Sequence, residues 1–229
     1  SKNDAALASD ELARALEIDP ESAEAHWMLG VAFAPSDTSR AAAAWNRCLE
    51  INPRFVPCLA TLVDRAIDAE NYAAANELLD RIESIDPREP DLWSYRAVLA
   101  QLDERVDEAE AHRRRALADW QSDPDVDHLI GRKLSQKYRF AEGAAHQRRA
   151  LEFDPDHLEA ALQLGQDLLR LGSDEGWSWI ERVRRDDPYQ VTAYNLTGLQ
   201  QELAAYDTLE QNGFIVRMSR REAQLYGLE

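Results

Sequence analysis

Five histidines and two cysteines are the side chains here best suited to hold a metal or to serve a nucleophile, so their spacing matters first. His26, His112, His128, His146 and His157 include no two at i, i+3 or i, i+4, the separations that set two ligands on one helix face. Cys48 and Cys58 form no C-x-x-C. There is no glycine-rich phosphate loop, no nucleophile elbow and no H-E-x-x-H. Carboxylates are abundant, but a charge-rich helical face is usually a solvated one. The sequence therefore predicts no catalytic residue, no metal and no cofactor within this chain, and no enzyme activity of its own.

The 229 residues carry a net charge of −17, with 43 acidic against 26 basic side chains. Nucleic-acid binding needs Lys and Arg to neutralise phosphates, and an anionic membrane surface needs the same, so neither partner is expected. No apolar run reaches membrane-spanning length. The charge is uneven. Residues 113–149 hold 9 basic and 5 acidic side chains, an island between acidic ends that includes Arg113, Arg114, Arg115, Arg132, Lys133, Lys137, Arg139, Arg148 and Arg149. Pairing with nearby acids would make it a solvated surface; otherwise it could dock an acidic partner or the acidic N-terminal half of the chain itself. Residue 1 is Ser, and no targeting segment is visible. The chain is expected to be part of a longer protein, cytoplasmic or else periplasmic or secreted.

The elements that must position these side chains are announced by a short recurring stretch. Leu16-Glu17-Ile18-Asp19-Pro20 returns as Leu49-Glu50-Ile51-Asn52-Pro53, Glu83-Ser84-Ile85-Asp86-Pro87 and Leu151-Glu152-Phe153-Asp154-Pro155, and in shortened form at Asp187-Pro188. The prolines fall 33, 34, 68 and 33 residues apart. Proline cannot continue a helix, so each marks the end of one helical pair and the start of the next. A period near 34 signals a repeat array without a single core. His112 and His146 lie one period apart, on neighbouring copies separated by ~9–10 Å, too far to share a metal. Cys48 and Cys58 fall where small packing residues are wanted and read as buried thiols; a disulfide between them is also conceivable.

Within the copies, large and small residues recur at fixed places: His26, Leu29, Gly30, Phe33, Ala41 and Trp45 in the first; Ile130, Gly131, Leu134, Phe140 and Gly143 in the fourth; Leu164, Gly165, Gly176 and Ile180 in the fifth. This pattern resembles the tetratricopeptide repeat, W-x2-L-G-x2-Y then A-x3-F then P, with His26 where the family prefers Trp. The resemblance implies an all-α, right-handed superhelical solenoid of antiparallel helix pairs over residues 1–205. It would consist of a half repeat (1–20), repeats at 23–53, 56–87, 90–121, 124–155 and 158–188, and a last helix at 191–205.

The resemblance also implies a function. In the family, the first helix of each pair lines a concave groove that binds protein or peptide. The groove positions fall here on Trp27 and Val31; on Ala60, Asp64 and Ile67; on Ser94, Val98 and Leu102; on His128, Arg132 and Gln136; and on Leu162, Gln166 and Arg170. That lining suits a peptide with apolar anchors and an acidic group, although Trp27, Val98 and Leu162 also read as half-buried packing residues. The Lys and Asn with which some relatives clamp a terminal carboxylate are replaced by Trp27 and Val31, so that clamp is not expected.

Past residue 205 the period ends. Asn212-Gly213 between two β-prone runs predicts a hairpin, and Ser219-Arg220-Arg221-Glu222 a capping box opening a helix. Residues 206–229 read as the start of a second domain. Phe214 to Met218, Glu222 and Tyr226-Gly227 resemble the approach to the catalytic domain of bacterial gluzincin-type zinc metallopeptidases, which implies an active site beyond residue 229. The array is thus expected to be a peptide-binding scaffold, or alternatively the regulatory or substrate-presenting arm of such a peptidase, or a self-association module. Its oligomeric state stays open.

Overall fold

The computed structural model describes residues 2–211 and 213–226. Two turn types alternate along the chain and set its architecture. The first lies between copies. The side chains of Asp19, Asn52, Asp86, Asp154 and Asp187 each accept the backbone N–H two residues on at 2.9–3.1 Å. Their carbonyls accept the N–H three residues on at 3.1–3.3 Å. The recurring Asx-Pro pair is therefore an Asx-turn fused to a β-turn with proline in its favoured place. The second turn lies inside four of the five copies, all but the first. Glu70, Glu104, Tyr138 and Gly172 sit 34 residues apart, all at positive φ (58°, 59°, 62° and 78°). Each closes a Schellman motif, in which Asn71, Arg105, Arg139 and Ser173 donate to the carbonyls of Ala66, Ala100, Leu134 and Leu168 at 2.9–3.0 Å.

Between these turns run the helices. α1 (Lys2–Ile18) is followed by five pairs: α2 (Ala23–Phe33) with α3 (Thr38–Ile51), α4 (Val56–Asp68) with α5 (Tyr72–Ile85), α6 (Pro90–Leu102) with α7 (Val106–Ala116), α8 (Pro124–Gln136) with α9 (Phe140–Phe153), and α10 (Leu158–Arg170) with α11 (Glu175–Asp186). α12 (Val191–Leu203) packs on α11. Each pair is in close mutual contact, and α6 and α8 also pack side by side. This is the all-α solenoid of helix pairs that the period implied. Ser22, Asp37, Asn71 and Asp123 cap the first turns of α2, α3, α5 and α8, and Pro57, Pro90 and Pro124 stand at first-turn positions where no N–H is missed. α7 stops at Ala116, several residues short of Gln121; the turn that follows is made by the Asp123 N–H on the Trp120 carbonyl, without a proline.

The core is divided. One cluster runs from Leu59 through Trp93 to Leu134, a second from Ala144 to Ala193, and a small one joins Ala41, Trp45, Cys48 and Cys58. His26 does occupy a tryptophan position: its Nε2 donates to the Pro20 carbonyl at 3.1 Å, as Trp93 Nε1 donates to Pro87 at 2.8 Å. At Gly30 a Cβ would stand 2.3 Å from Trp45 Nε1, so only glycine lets that indole lie flat on α2.

β1 (Tyr206–Gln211) and β2 (Phe214–Ser219) form an antiparallel hairpin, with Tyr206 opposite Ser219 and Gln211 opposite Phe214. Asn212 of the expected turn lies outside the described residues, as does Gly227 of the tail motif. The capping box is present: Glu222 N–H donates to Ser219 Oγ and Ser219 N–H to Glu222 Oε2, opening α13 (Arg220–Tyr226).

Candidate functional site

The concave side of the array is not one continuous groove. Helices α4 and α8, two copies apart, are joined across it by ions. Arg132 reaches Asp64 Oδ1 at 2.7 Å, and Tyr95 OH donates to the same oxygen at 3.1 Å. Lys133 Nζ lies 3.1 Å from Asp64 Oδ2 and 2.6 Å from Asp68 Oδ1, and donates to the Asp64 carbonyl. Lys137 adds Glu70 and the Asp68 carbonyl, both at 3.1 Å. The Lys133 side chain is fully buried. Burial pushes the Asp64 carboxyl upward, but the charges and hydrogen bonds of Arg132 and Lys133 outweigh it and hold that carboxyl below its ordinary range. Tyr95 is pushed the other way, well above a normal phenol, by burial and by the Asp64 charge.

This clasp decides where the expected groove residues go. Ile67, Ser94 and Val98 are fully buried beneath it. Ile67 and Val98 belong to the central core, and the Ser94 hydroxyl donates back to the Pro90 carbonyl. A ligand cannot touch these three, because the tight approach of α4, α6 and α8 turns positions that would face a groove into packing positions. Leu102 packs half-buried on the same core, and Gln136 is exposed near its rim. His128 donates from Nδ1 to Gln147 Oε1 at 2.9 Å and packs against the His157 ring, 4.9 Å between centroids. Burial holds its imidazole below the usual pKa.

On the N-terminal side of the clasp an open cleft of about 540 Å³ remains. Five expected residues meet there: Trp27, Val31, Ala60, Asp64 and Arg132. Val31 is 47% exposed. Trp27 is held by a hydrogen bond from its Nε1 to Thr61 Oγ1 (2.9 Å) and by an edge contact with Phe55. The far wall was not foreseen. It consists of Glu89 and Asp91 at the start of α6, with Tyr95 one turn on. Their signal was in the chain, as Glu89-Pro90-Asp91 and Asp123-Pro124-Asp125 one period later, but it reads first as helix capping. Each leading carboxylate does cap the N–H of the following Asp. Burial, then the charges of Glu89, Asp125 and Asp123, raise the Asp91 carboxyl to about 6, with Arg132 opposing.

A second cleft, about 390 Å³, opens between α10, α11 and α12, with Arg217 of β2 at its edge. Gln166 and Arg170 line it; Leu162 packs half-buried on the C-terminal core.

The basic island is largely consumed by ion pairs. Arg113 grips the buried Asp127 with two bonds of 2.7 and 2.5 Å, and His146 Nδ1 donates to the same carboxylate at 2.7 Å. Arg139 pairs with Glu142, and Arg148 with Glu175. Arg132, Lys133 and Lys137 instead dock onto acids of the chain's own N-terminal half. Cys48 and Cys58 are free and buried, and burial raises both thiols. Among the described residues no three His, Cys, Asp or Glu side chains gather as a metal ion would require.

No family model matches the sequence, and no curated protein does. Solved structures do match. A tetratricopeptide repeat protein from Parabacteroides merdae is 14% identical, over 87% of this chain and 78% of that one, with a TM-score of 0.64. TTC0263, a thermophilic tetratricopeptide protein of Thermus thermophilus, is 22% identical over 70% and 89%, TM-score 0.54. A chain of the APC/C hetero-tetramer Cut9–Hcn1 is 14% identical over 85% and 39%, TM-score 0.55. At these identities the likeness is one of fold, and the fold is that of the tetratricopeptide repeat.

Proposed function

We propose that this array is a protein-interaction scaffold without catalysis of its own, and that it takes an extended segment of a partner protein into the N-terminal cleft. The observation that carries this reading is the cleft itself. The exposed Val31 and the half-buried Trp27 offer apolar surface in a concavity walled by convergent polar groups. A fold neighbour occurs within a hetero-tetramer, which supports the same use of the fold. The acidic group first expected of the ligand loses its partner here, because Arg132 is engaged by Asp64. The test is a phage-displayed random dodecapeptide library panned on the chain. Peptides should be enriched, and Val31→Lys should weaken them at least about tenfold, the cost of a misplaced charge in an apolar contact, with helicity unchanged. No enrichment, or binding indifferent to Val31→Lys, rejects the cleft.

The tail favours a second, compatible reading. Phe214 and Ile215 stand largely exposed on a two-stranded hairpin, which cannot bury enough surface to be stable alone. On this reading residues 206–229 begin a further unit, and the array is its regulatory or substrate-presenting arm. An H-E-x-x-H helix in the downstream coding sequence would make that unit a metallopeptidase; another kind of domain there removes the peptidase idea.

A further inference from the structure

We infer that the N-terminal cleft selects a partner segment carrying a lysine or arginine beside an apolar side chain; this rests on the cleft being the peptide site. The argument is one of charge left over. Arg132 is engaged by Asp64, and Lys133 by Asp64 and Asp68; that leaves Arg65, which leans over the Trp45 ring at 5.2 Å, as one cation against the two carboxylates of Glu89 and Asp91. The acids are not balanced in the same way. Glu89 spends one oxygen on a weak backbone cap at 3.4 Å. The Asp91 carboxylate has no hydrogen bond or ion pair of its own among the described residues.

The acids that face Asp91 come from two helices. Glu89 precedes it on its own element, and Asp123 and Asp125 approach from α8, where Asp125 is shared with His157 at 3.0 Å; Arg132 is the opposing cation. A carboxylate at the start of a helix gains from the helix dipole, yet here burial and its neighbours outweigh that gain. The cleft thus holds an ionised group that the fold itself does not stabilise. A guanidinium or ammonium entering beside Trp27, Val31 and Ala60 would supply the missing partner, and its aliphatic stem would cover the apolar floor. An acidic segment would instead meet the repulsion of Glu89 and Asp91.

The composition of the enriched peptides is the first readout, and their affinity for the double variant Glu89→Gln/Asp91→Asn the second. The expected result is a set rich in Lys or Arg next to Trp, Leu or Val. Its binding should fall about tenfold or more in the double variant, and fall again in the wild type as pH is lowered from 7.5 to 5. Peptides that depend on Val31 but are neutral or acidic, or that bind the double variant equally well, would overturn the charge preference and leave the cleft's role intact. A failure of enrichment, or indifference to Val31→Lys, would overturn both.

Discussion

The middle of the array and its N-terminal end are built from the same repeat, but they are joined by different forces. Between α4 and α9 the packing reaches beyond the nearest neighbour: Lys133 and Arg132 cross 65 or more residues to Asp64 and Asp68, and Lys133 is fully buried. At the end formed by α1, α2 and α3 the small cluster around Trp45 does most of the packing. The ion pairs there, Arg14 with Glu11 and Arg47 with Glu21 and Glu50, are open to water on both sides. A repeat period specifies contact with the next copy and no further. The concave side is divided here by polar groups that reach the copy after next. The open cleft lies where that reach ends.

Breaking the two ion systems separately should make the contrast measurable. Lys133→Ala removes a buried cation, leaving Asp64 to Arg132 and Tyr95 and the half-exposed Asp68 without its partner, and should cost about 3 kcal/mol, lowering Tm by roughly 6–12 °C. Arg47→Ala removes two solvated pairs, with Glu21 and Glu50, and should change stability by less than about 0.5 kcal/mol. Thermal melts followed by circular dichroism decide it. Equal effects of the two substitutions would mean that the clasp is decoration on an array held by apolar contacts alone.

That clasp also marks the limit of what could be read from the sequence. The Asx-Pro pairs predicted where helical pairs end, because a turn needs those residue types locally, and the helices follow them. His26 at a tryptophan position was legible for the same reason, since the hydrogen bond to the preceding Pro carbonyl needs only a ring N–H at that place. Ile67, Ser94 and Val98 were assigned to the groove by position within a copy, and position cannot say how tightly successive copies wind. Lys133 shows why. Its neighbours Arg132 and Lys137 read with it as one basic surface, while its partners lie two periods back. Glu89 and Asp91 carried a capping pattern, and the same carboxylates that cap α6 also wall the cleft.

A smaller effect of opposite sign should separate the cleft's acids from the clasp's. Asp91 is raised in the fold to about 6 from an ordinary value of 3.8. The stabilisation from its protonation is therefore fully present below the unfolded value and lost as pH rises through 6, so at neutral pH the ionised group opposes folding. Asp64 and Asp127 are lowered, and what they contribute is lost as pH falls through their folded values. Asp91→Asn should thus stabilise the fold at pH 7.5, by on the order of 1–3 kcal/mol, and raise Tm accordingly. The gap should shrink through pH 6 and vanish near pH 4, measured by melts across that range. A constant gap would mean that the gain comes from the amide's own contacts rather than from relief of charge.

The smallest expected effect lies in the turns inside the copies, where middle and C-terminal repeats can be compared at one position. Tyr138 and Gly172 are 34 residues apart with the same left-handed backbone and the same Schellman bonds, yet one carries an exposed ring and the other no side chain. Nothing lies within 4 Å of a Cβ at Gly172, so Gly172→Ala probes the backbone alone and should cost about 1 kcal/mol. Tyr138→Gly relieves the same strain but loses the edge contact with Phe140, 5.9 Å between ring centroids, and gains unfolded-state entropy. The net should be a stabilisation of no more than about 0.5 kcal/mol. Should Tyr138→Gly destabilise while Gly172→Ala behaves as stated, the ring contact outweighs the strain, and tyrosine at this turn is part of what holds the clasped middle together.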